Sequence, residues 1–285
     1  MVKRPERPEW MRKKINLGEL HEMYQLLSRH ELNTVCENAR CPNIGECFSK
    51  RTATFMILGN QCTRNCRFCA VQAGALVNPD PAEPENVAKA TRELGLKHVV
   101  ITCVTRDDLA DGGAGHFAKT INAVRDLNPD TTIEILTSDF RGNWQDLKTV
   151  VAARPHIFGH NVETVPSLYQ EVRPGADYQR SLALLRQVRQ LNSDIITKSG
   201  LMLGLGEDKA EVEAVMQDVR DAGCGVITIG QYLSPGKNHL PVKEYVEPQV
   251  YEEYKATGRA MGFKYVIAGP YVRSSYMAET VKLDS

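Results

Sequence analysis

The sequence predicts an α/β fold, a partial (β/α)6 TIM-like barrel with an extension at each end, and three observations carry the prediction. Short β-branched runs recur along the chain, longer amphipathic stretches alternate with them, and six cysteines crowd around the first run. Repeated βα units predict parallel strands with helices outside. Six such units fall short of the eight that close a (β/α)8 barrel.

Taken in order, strands are expected at residues 54–59, 97–102, 132–136, 156–160, 195–203 and 226–229, each a short run rich in Val, Ile, Thr or Phe. Helices are expected between them at 84–94, 115–127, 144–153, 178–191 and 209–222. A last helix near 248–261 and a short strand at 263–268 bring the C-terminus back towards the barrel. Three regions follow: an N-terminal extension over 1–52 that carries the first cysteines, the barrel over 53–240, and a C-terminal extension over 241–285 that closes it. No internal repeat, low-complexity tract or interdomain linker interrupts them.

At 285 residues the chain can bury a sizeable core without disulfide staples, so its eight cysteines are not needed as braces. No secretory signal or membrane-length apolar run is present, which points away from a membrane and towards a reducing cytoplasm, a mature organelle being equally compatible. The 35 basic and 35 acidic residues cancel, arguing against the phosphate-binding surface of a nucleic-acid protein. The start, MVKRPERPEWMRKK, has six Lys/Arg against two Glu and is expected to wrap the fold rather than to act as a transit peptide. Cys103 and Cys224 stand alone in apolar segments, where free cysteine behaves as a small hydrophobe. The histidines show no i, i+4 metal spacing; His160 is expected to line a pocket, and Tyr265, Tyr271 and Tyr276 to pack.

The other six cysteines form two triplets, Cys36-x4-Cys41-x5-Cys47 and Cys62-x3-Cys66-x2-Cys69. Three thiolates are one short of what a tetrahedral zinc or a cubane iron–sulfur cluster needs, so each centre should present one metal ion to a non-cysteine partner. A zinc knuckle completed by Cys47 or a histidine is the plain alternative. The second triplet directly follows the first strand, on a loop at the C-terminal end of the barrel strands, where such folds build active sites. Two polar, glycine-bearing stretches, 102–113 and 200–207, allow close backbone approach to a ligand there.

A Cx3CxxC loop after the first strand of a partial barrel, with Phe68 beside its last cysteine, resembles the radical S-adenosylmethionine superfamily. The resemblance implies a 4Fe–4S cluster on Cys62, Cys66 and Cys69 whose fourth iron is chelated by S-adenosylmethionine. It also implies that Asn161 and Glu163, in His160-Asn-Val-Glu-Thr164, bind the ribose and that Arg173 pairs with the cofactor carboxylate. On pattern alone, loop capping is the plainer reading of the first two, and a surface ion pair that of Arg173.

The first triplet narrows the resemblance. Cys36-Glu-Asn-Ala-Arg-Cys41-Pro-Asn-Ile-Gly-Glu-Cys47 resembles the auxiliary-cluster motif of the lipoyl synthases, as do Pro8-Glu-Trp-Met-Arg12, Val104-Thr-Arg-Asp-Asp-Leu109, Asp111-Gly-Gly113 and Arg273-Ser-Ser-Tyr276. This implies two 4Fe–4S clusters, and sulfur insertion at C6 and C8 of an octanoyl group on a lysine of a lipoyl carrier domain or H protein. The second cluster, on Cys36, Cys41 and Cys47, would donate sulfide and be consumed. Its fourth ligand is implied to be a serine, Ser275 with Ser274 as fallback. Arg273 would hold that hydroxyl anionic or open a path to the cluster. A ferredoxin or flavodoxin as electron donor and an iron–sulfur cluster carrier are the further partners implied. A sulfur inserter acting on a free small molecule, such as a biotin synthase, and a zinc-stabilised binding module remain as alternatives.

Overall fold

A computed structural model describes residues 5–11, 17–276 and 278–281. After helix α1 (Leu17–Arg29) come β1 (Asn33–Thr34) and two short helices, α2 (Val35–Asn38) and α3 (Ile44–Ser49). β2 (Thr54–Ile57) opens the barrel, and a small parallel pair, β3 (Gln61–Cys62) and β4 (Gln72–Ala73), brackets the loop after it. The alternation then runs α4 (Glu83–Leu94), β5 (His98–Cys103), α5 (Ala114–Leu127), β6 (Thr132–Leu136), α6 (Trp144–Ala152) and β7 (Ile157–Gly159). It finishes with α7 (Tyr169–Val172), α8 (Tyr178–Leu191), β8 (Ile196–Leu203), α9 (Lys209–Asp221), β9 (Val226–Gln231), α10 (Pro248–Ala260) and β10 (Tyr265–Gly269).

One open sheet has the order β1-β2-β5-β6-β7-β8-β9-β10, with β1 antiparallel to β2 and every other pair parallel. The six expected βα units are all present. The strand expected at 263–268 is β10, which pairs with β9 from Tyr265↔Val226 to Gly269↔Gly230, so the C-terminal extension continues the sheet.

Local chemistry sets the helix ends. Asp208 and Glu211 form a reciprocal capping box at the start of α9, with hydrogen bonds of 2.8 and 3.0 Å. Asp177 accepts from Arg180 N–H to cap α8, and Asn143 accepts from Gln145 N–H to cap α6. The apolar stripes of these helices pack on the outer face of the sheet. Phe55, Ile57, Ile101, Ile133 and Ile135 join Phe117, Ile121 and Val150 in one core, while Leu201, Leu203, Ile227 and Ile229 join α9 and α10 in a second.

Alternate strand residues share a face, and the inner row of the barrel mixes polar side chains with apolar ones such as Val100 and Val226. Lys198 Nζ donates to Glu134 Oε1 at 2.7 Å and His98 Nε2 meets Glu134 Oε2 at 3.0 Å, all three side chains buried. This trio fills the N-terminal end of the barrel. Further up the same rows, Thr102, Leu136, Gly200, Thr228 and Gly230 line a cavity at the C-terminal end.

Of the basic start expected to wrap the fold, residues 1–4 and 12–14 lie outside the described residues; within 5–11, Met11 is buried and Arg7 lines the cavity. Among the described residues, no helix is long and apolar enough to cross a membrane.

Candidate active site

The cavity holds about 640 Å³ and is lined by all six triplet cysteines. Two backbone events bring the triplets together. Thr34 pairs with Phe55 across β1 and β2, and its hydroxyl accepts from Glu37 N–H at 3.3 Å to start α2, which fixes Cys36 beside the barrel's first strand. β2 in turn launches the loop that carries Cys62, Cys66 and Cys69. At that launch point Leu58 donates its N–H to Glu83 Oε2 at 2.8 Å and accepts from Arg106 Nη1 at 3.1 Å.

Arg64, between two of the cysteines, locks the loop. Its guanidinium donates to both Asp107 oxygens at 2.7 and 3.0 Å and to Asp139 Oδ1 at 2.6 Å. Burial alone would raise the Asp139 carboxyl, but Arg64 overrides it and holds it at about 2. The stretch 102–113 therefore does more than approach a ligand: Thr102 and Thr105 line the cavity, while Asp107 braces the cysteine loop. In 200–207 only Gly200, Leu201 and Met202 reach the cavity; the Glu207 carboxylate accepts from Gly204 and Leu205 N–H and builds a turn beyond it.

The thiols lie in a demanding environment. Burial pushes Cys36 and Cys69 up to about 12, with Cys66 also raised. Backbone N–H groups nevertheless point at sulfur: Thr54 at Cys36, Arg64 at Cys62 (3.4 Å) and Val71 at Cys69. Donors aimed at sulfur favour the thiolate and are among the interactions that tune iron–sulfur clusters. Among the described residues, no three His, Cys, Asp or Glu side chains stand close enough to share a single metal ion.

Asn161, Glu163, Arg173 and Phe68 line the same cavity. Arg173 is no surface ion pair: its Nη1 donates to the Asn161 and Val162 carbonyls and the Tyr169 hydroxyl at 2.8–3.1 Å. Asn161 Nδ2 donates to Glu163 Oε1 at 3.1 Å, and Glu163 has a φ of +68°, a left-handed conformation that non-glycine residues adopt at a cost. Burial raises the Glu163 carboxyl against the opposing pull of Arg173. Three buried atoms at the cavity have no hydrogen-bond partner: Asn161 Oδ1, Arg173 Nε and Thr137 Oγ1. A Cβ at Gly200 would fall 2.4 Å from Thr228 Oγ1 and 3.2 Å from Asn161 Oδ1, so bare backbone there leaves room for the carboxamide. Spare polar capacity beside a thiol-lined wall fits a cluster with a polar organic cofactor.

Arg273, Ser274 and Ser275 also line the cavity. Burial pulls the Arg273 guanidinium below its usual range, opposed by Cys41, Tyr251 and Glu163, so it lies between the two halves of the site. Cys103, expected as apolar filler, ends β5 at the cavity wall, whereas Cys224 is fully buried. His160 lines the cavity as expected, with Nδ1 on the Thr137 carbonyl at 2.9 Å. Sequence reasoning missed Asn43, Arg64 and Asp139; a charged residue just after a barrel strand was the available signal for Asp139.

Residues 56–219 match the radical SAM superfamily model. Over 273 residues the chain is 55% identical to a lipoyl synthase of Caldanaerobacter subterraneus subsp. tengcongensis, covering 96% of each chain. The chain belongs to the lipoyl synthase family. A Geobacter metallireducens lipoyl synthase is likewise 55% identical over 272 residues, covering 95% of this chain and 96% of that one. Among solved structures, Streptococcus suis SuiB bound to S-adenosylmethionine superposes with a TM-score of 0.60 at 13% identity, covering 89% of this chain and 60% of that one. Methylornithine synthase superposes at 0.54 and 14% identity, covering 93% and 88%. Both show the shared barrel. Membership of the superfamily carries with it a 4Fe–4S cluster and S-adenosylmethionine.

Proposed function

We propose that this chain inserts two sulfur atoms at C6 and C8 of an octanoyl group borne on a lysine of a lipoyl carrier domain or H protein, consuming two S-adenosylmethionine. The observation that carries the reading is a single cavity lined by both cysteine triplets and by Ser275. Unactivated C–H bonds offer no acidic proton and no leaving group, so general acid–base machinery is useless at these carbons. A cluster on Cys62, Cys66 and Cys69 with its S-adenosylmethionine supplies, when bound, a primary carbon radical equal to that task.

The chain's own residues hold and orient. Asn161 and Glu163 bind the ribose, Arg173 receives the cofactor carboxylate at its free Nε, and Phe68 packs the cofactor side of the loop. Cys36, Cys41 and Cys47 hold a second 4Fe–4S cluster as the sulfur substrate, with Ser275 as its fourth ligand. An oxygen ligand binds iron less firmly than a soft thiolate, which suits a cluster that must be given up. Arg273 faces that ligand and stabilises its anionic form. A ferredoxin or flavodoxin supplies electrons, and an iron–sulfur carrier refills the first triplet. Eight free thiols suit a reducing compartment, the cytoplasm.

Anaerobically purified protein should hold about eight iron atoms per chain and convert an octanoyl-lysyl peptide, with reductant and S-adenosylmethionine, into the dithiolated product. Formation of 5′-deoxyadenosine without sulfur entering the peptide would show that the substrate assignment is wrong.

A further inference from the structure

One short segment, residues 234–240, bonds to both cysteine loops. At one end Arg40, the residue before Cys41, donates from Nη1 to the Pro235 carbonyl at 3.2 Å. At the other, His239 donates from Nε2 to the Cys69 carbonyl at 3.0 Å, and Leu240 N–H donates to the Arg67 carbonyl at 3.2 Å. The segment is stiff in itself. Ser234 Oγ and His239 N–H both donate to the Gly236 carbonyl, at 3.0 and 3.1 Å. The buried Tyr232 hydroxyl, just past β9, donates to the Leu240 carbonyl at 2.8 Å. A Cβ at Gly236 would lie 3.5 Å from His239 Nδ1 and 4.0 Å from Arg40 Nη1, so the two anchoring side chains flank the same glycine.

The imidazole has one polar task. A carbonyl can only accept, so the Nε2 on Cys69 carries the proton, and Nδ1 is buried without a partner. His239 bonds the Cys69 backbone from outside the cavity lining, whereas Arg40 lines the cavity and bonds the Pro235 carbonyl from the position before Cys41.

We propose that residues 234–240 form a strap that couples the two metal sites, with His239 the positioning residue for the Cys69 end and Arg40 for the Cys41 end. The inference rests on the two-cluster reading above. Emptying the first triplet releases the loop around Cys41 and Arg40, slackens the strap and loosens Cys69. S-adenosylmethionine then binds the second site less tightly once the sulfur source is gone. By reciprocity, bound S-adenosylmethionine tightens retention of the first cluster.

The test is a double-mutant cycle on S-adenosylmethionine binding, followed through the change it causes in the electron paramagnetic resonance signal of the reduced second-triplet cluster. The full chains compared are wild type, Cys36→Ala/Cys41→Ala/Cys47→Ala, His239→Ala and their combination. Removing the first triplet should weaken binding about 5- to 10-fold in the wild-type background and less than about 2-fold in the His239→Ala background. His239→Gln, which keeps an N–H donor, should restore the coupling. Equal, additive weakening in both backgrounds overturns the strap. Should His239→Ala lose the second cluster, Arg40→Met severs the other end and carries the same comparison. A wild-type content of about four iron atoms overturns the two-cluster reading and the strap with it; about eight with additive effects overturns the strap alone.

Discussion

Asn43, in the middle of the first cysteine triplet, donates from Nδ2 to the Tyr271 carbonyl at 2.7 Å across 228 residues of sequence. Tyr276 closes the same gap from the other side, its hydroxyl donating to Glu46 Oε1 at 3.0 Å. These two bonds clamp the segment 271–276, with Arg273, Ser274 and Ser275, over Cys41 and Cys47. Asn43 is buried, with 1% of its surface exposed, so its carboxamide cannot exchange this partner for water.

Asn43→Ala should therefore cost about 1–3 kcal/mol in urea unfolding, the range for leaving a buried polar group unpaired. It should also lower the iron retained after anaerobic purification towards the content of the second triplet alone. Unchanged iron would show that the clamp does not govern the first centre.

Both Ser274 and Ser275 line the cavity. Ser275→Ala should still form 5′-deoxyadenosine but deliver little or no sulfur to an octanoyl-lysyl peptide, whereas Ser274→Ala should retain most of the yield. Normal lipoyl product from Ser275→Ala would transfer the ligand role elsewhere.

Gly230 in β9 underlies the same segment. A Cβ there would fall 2.0 Å from the Val272 carbonyl oxygen and 3.3 Å from Arg273 Nη1, and the obstacle is backbone. Gly230→Ala should displace 272–276, cost about 1–3 kcal/mol as overpacking does, and abolish sulfur transfer at a measurable rate of cofactor cleavage. Thermal unfolding and the two product assays check both halves.

The Asp139 carboxylate is buried against Arg64, itself largely shielded, with Arg180 at 3.2 Å on its other oxygen. Asp139→Asn leaves a buried guanidinium short of one partner and should destabilise by about 3 kcal/mol at neutral pH. Since Arg64 depresses the folded-state value to about 2, this stability is present above the unfolded value of about 3.9 and is lost as pH falls through about 2. The mutant's acid unfolding should be correspondingly flatter.

His160 acts in the same sense at higher pH, but here the fold favours the neutral form. Burial first, then Arg173, pushes its imidazole down to about 4. Between about pH 6.5 and about 4 the unfolded chain takes up a proton the folded chain refuses, so stability falls as pH falls, by about 1.4 kcal/mol per unit. His160→Gln should remove this slope from chemical unfolding measured at several pH values; an unchanged slope would place the charge elsewhere.

Much of the barrel was legible because short β-branched runs alternate with longer amphipathic stretches, and each pattern is local to its own element. β6 was expected and observed at 132–136, and α8 at 178–191. β1 was not legible, because two residues have no periodicity to detect; its position comes from pairing with Met56 and Phe55. Arg173 was weighed as a surface ion pair because its partners are mostly backbone carbonyls and the Tyr169 hydroxyl, none of which advertises a charge. Arg64 carried no local signal, since Asp107 and Asp139 are 43 and 75 residues away.

By itself the sequence determined the spacing of two thiol triplets and the order of strands and helices. Both depend on near neighbours: thiolate spacing along one loop, and hydrophobic period along one element. Only the tertiary structure decided that the two triplets face one cavity. That follows from the edge pairing of β1 on β2, the Asn43–Tyr271 clamp and the strap at 234–240. Contacts across such separations arise from long-range backbone pairing and carry no local signature.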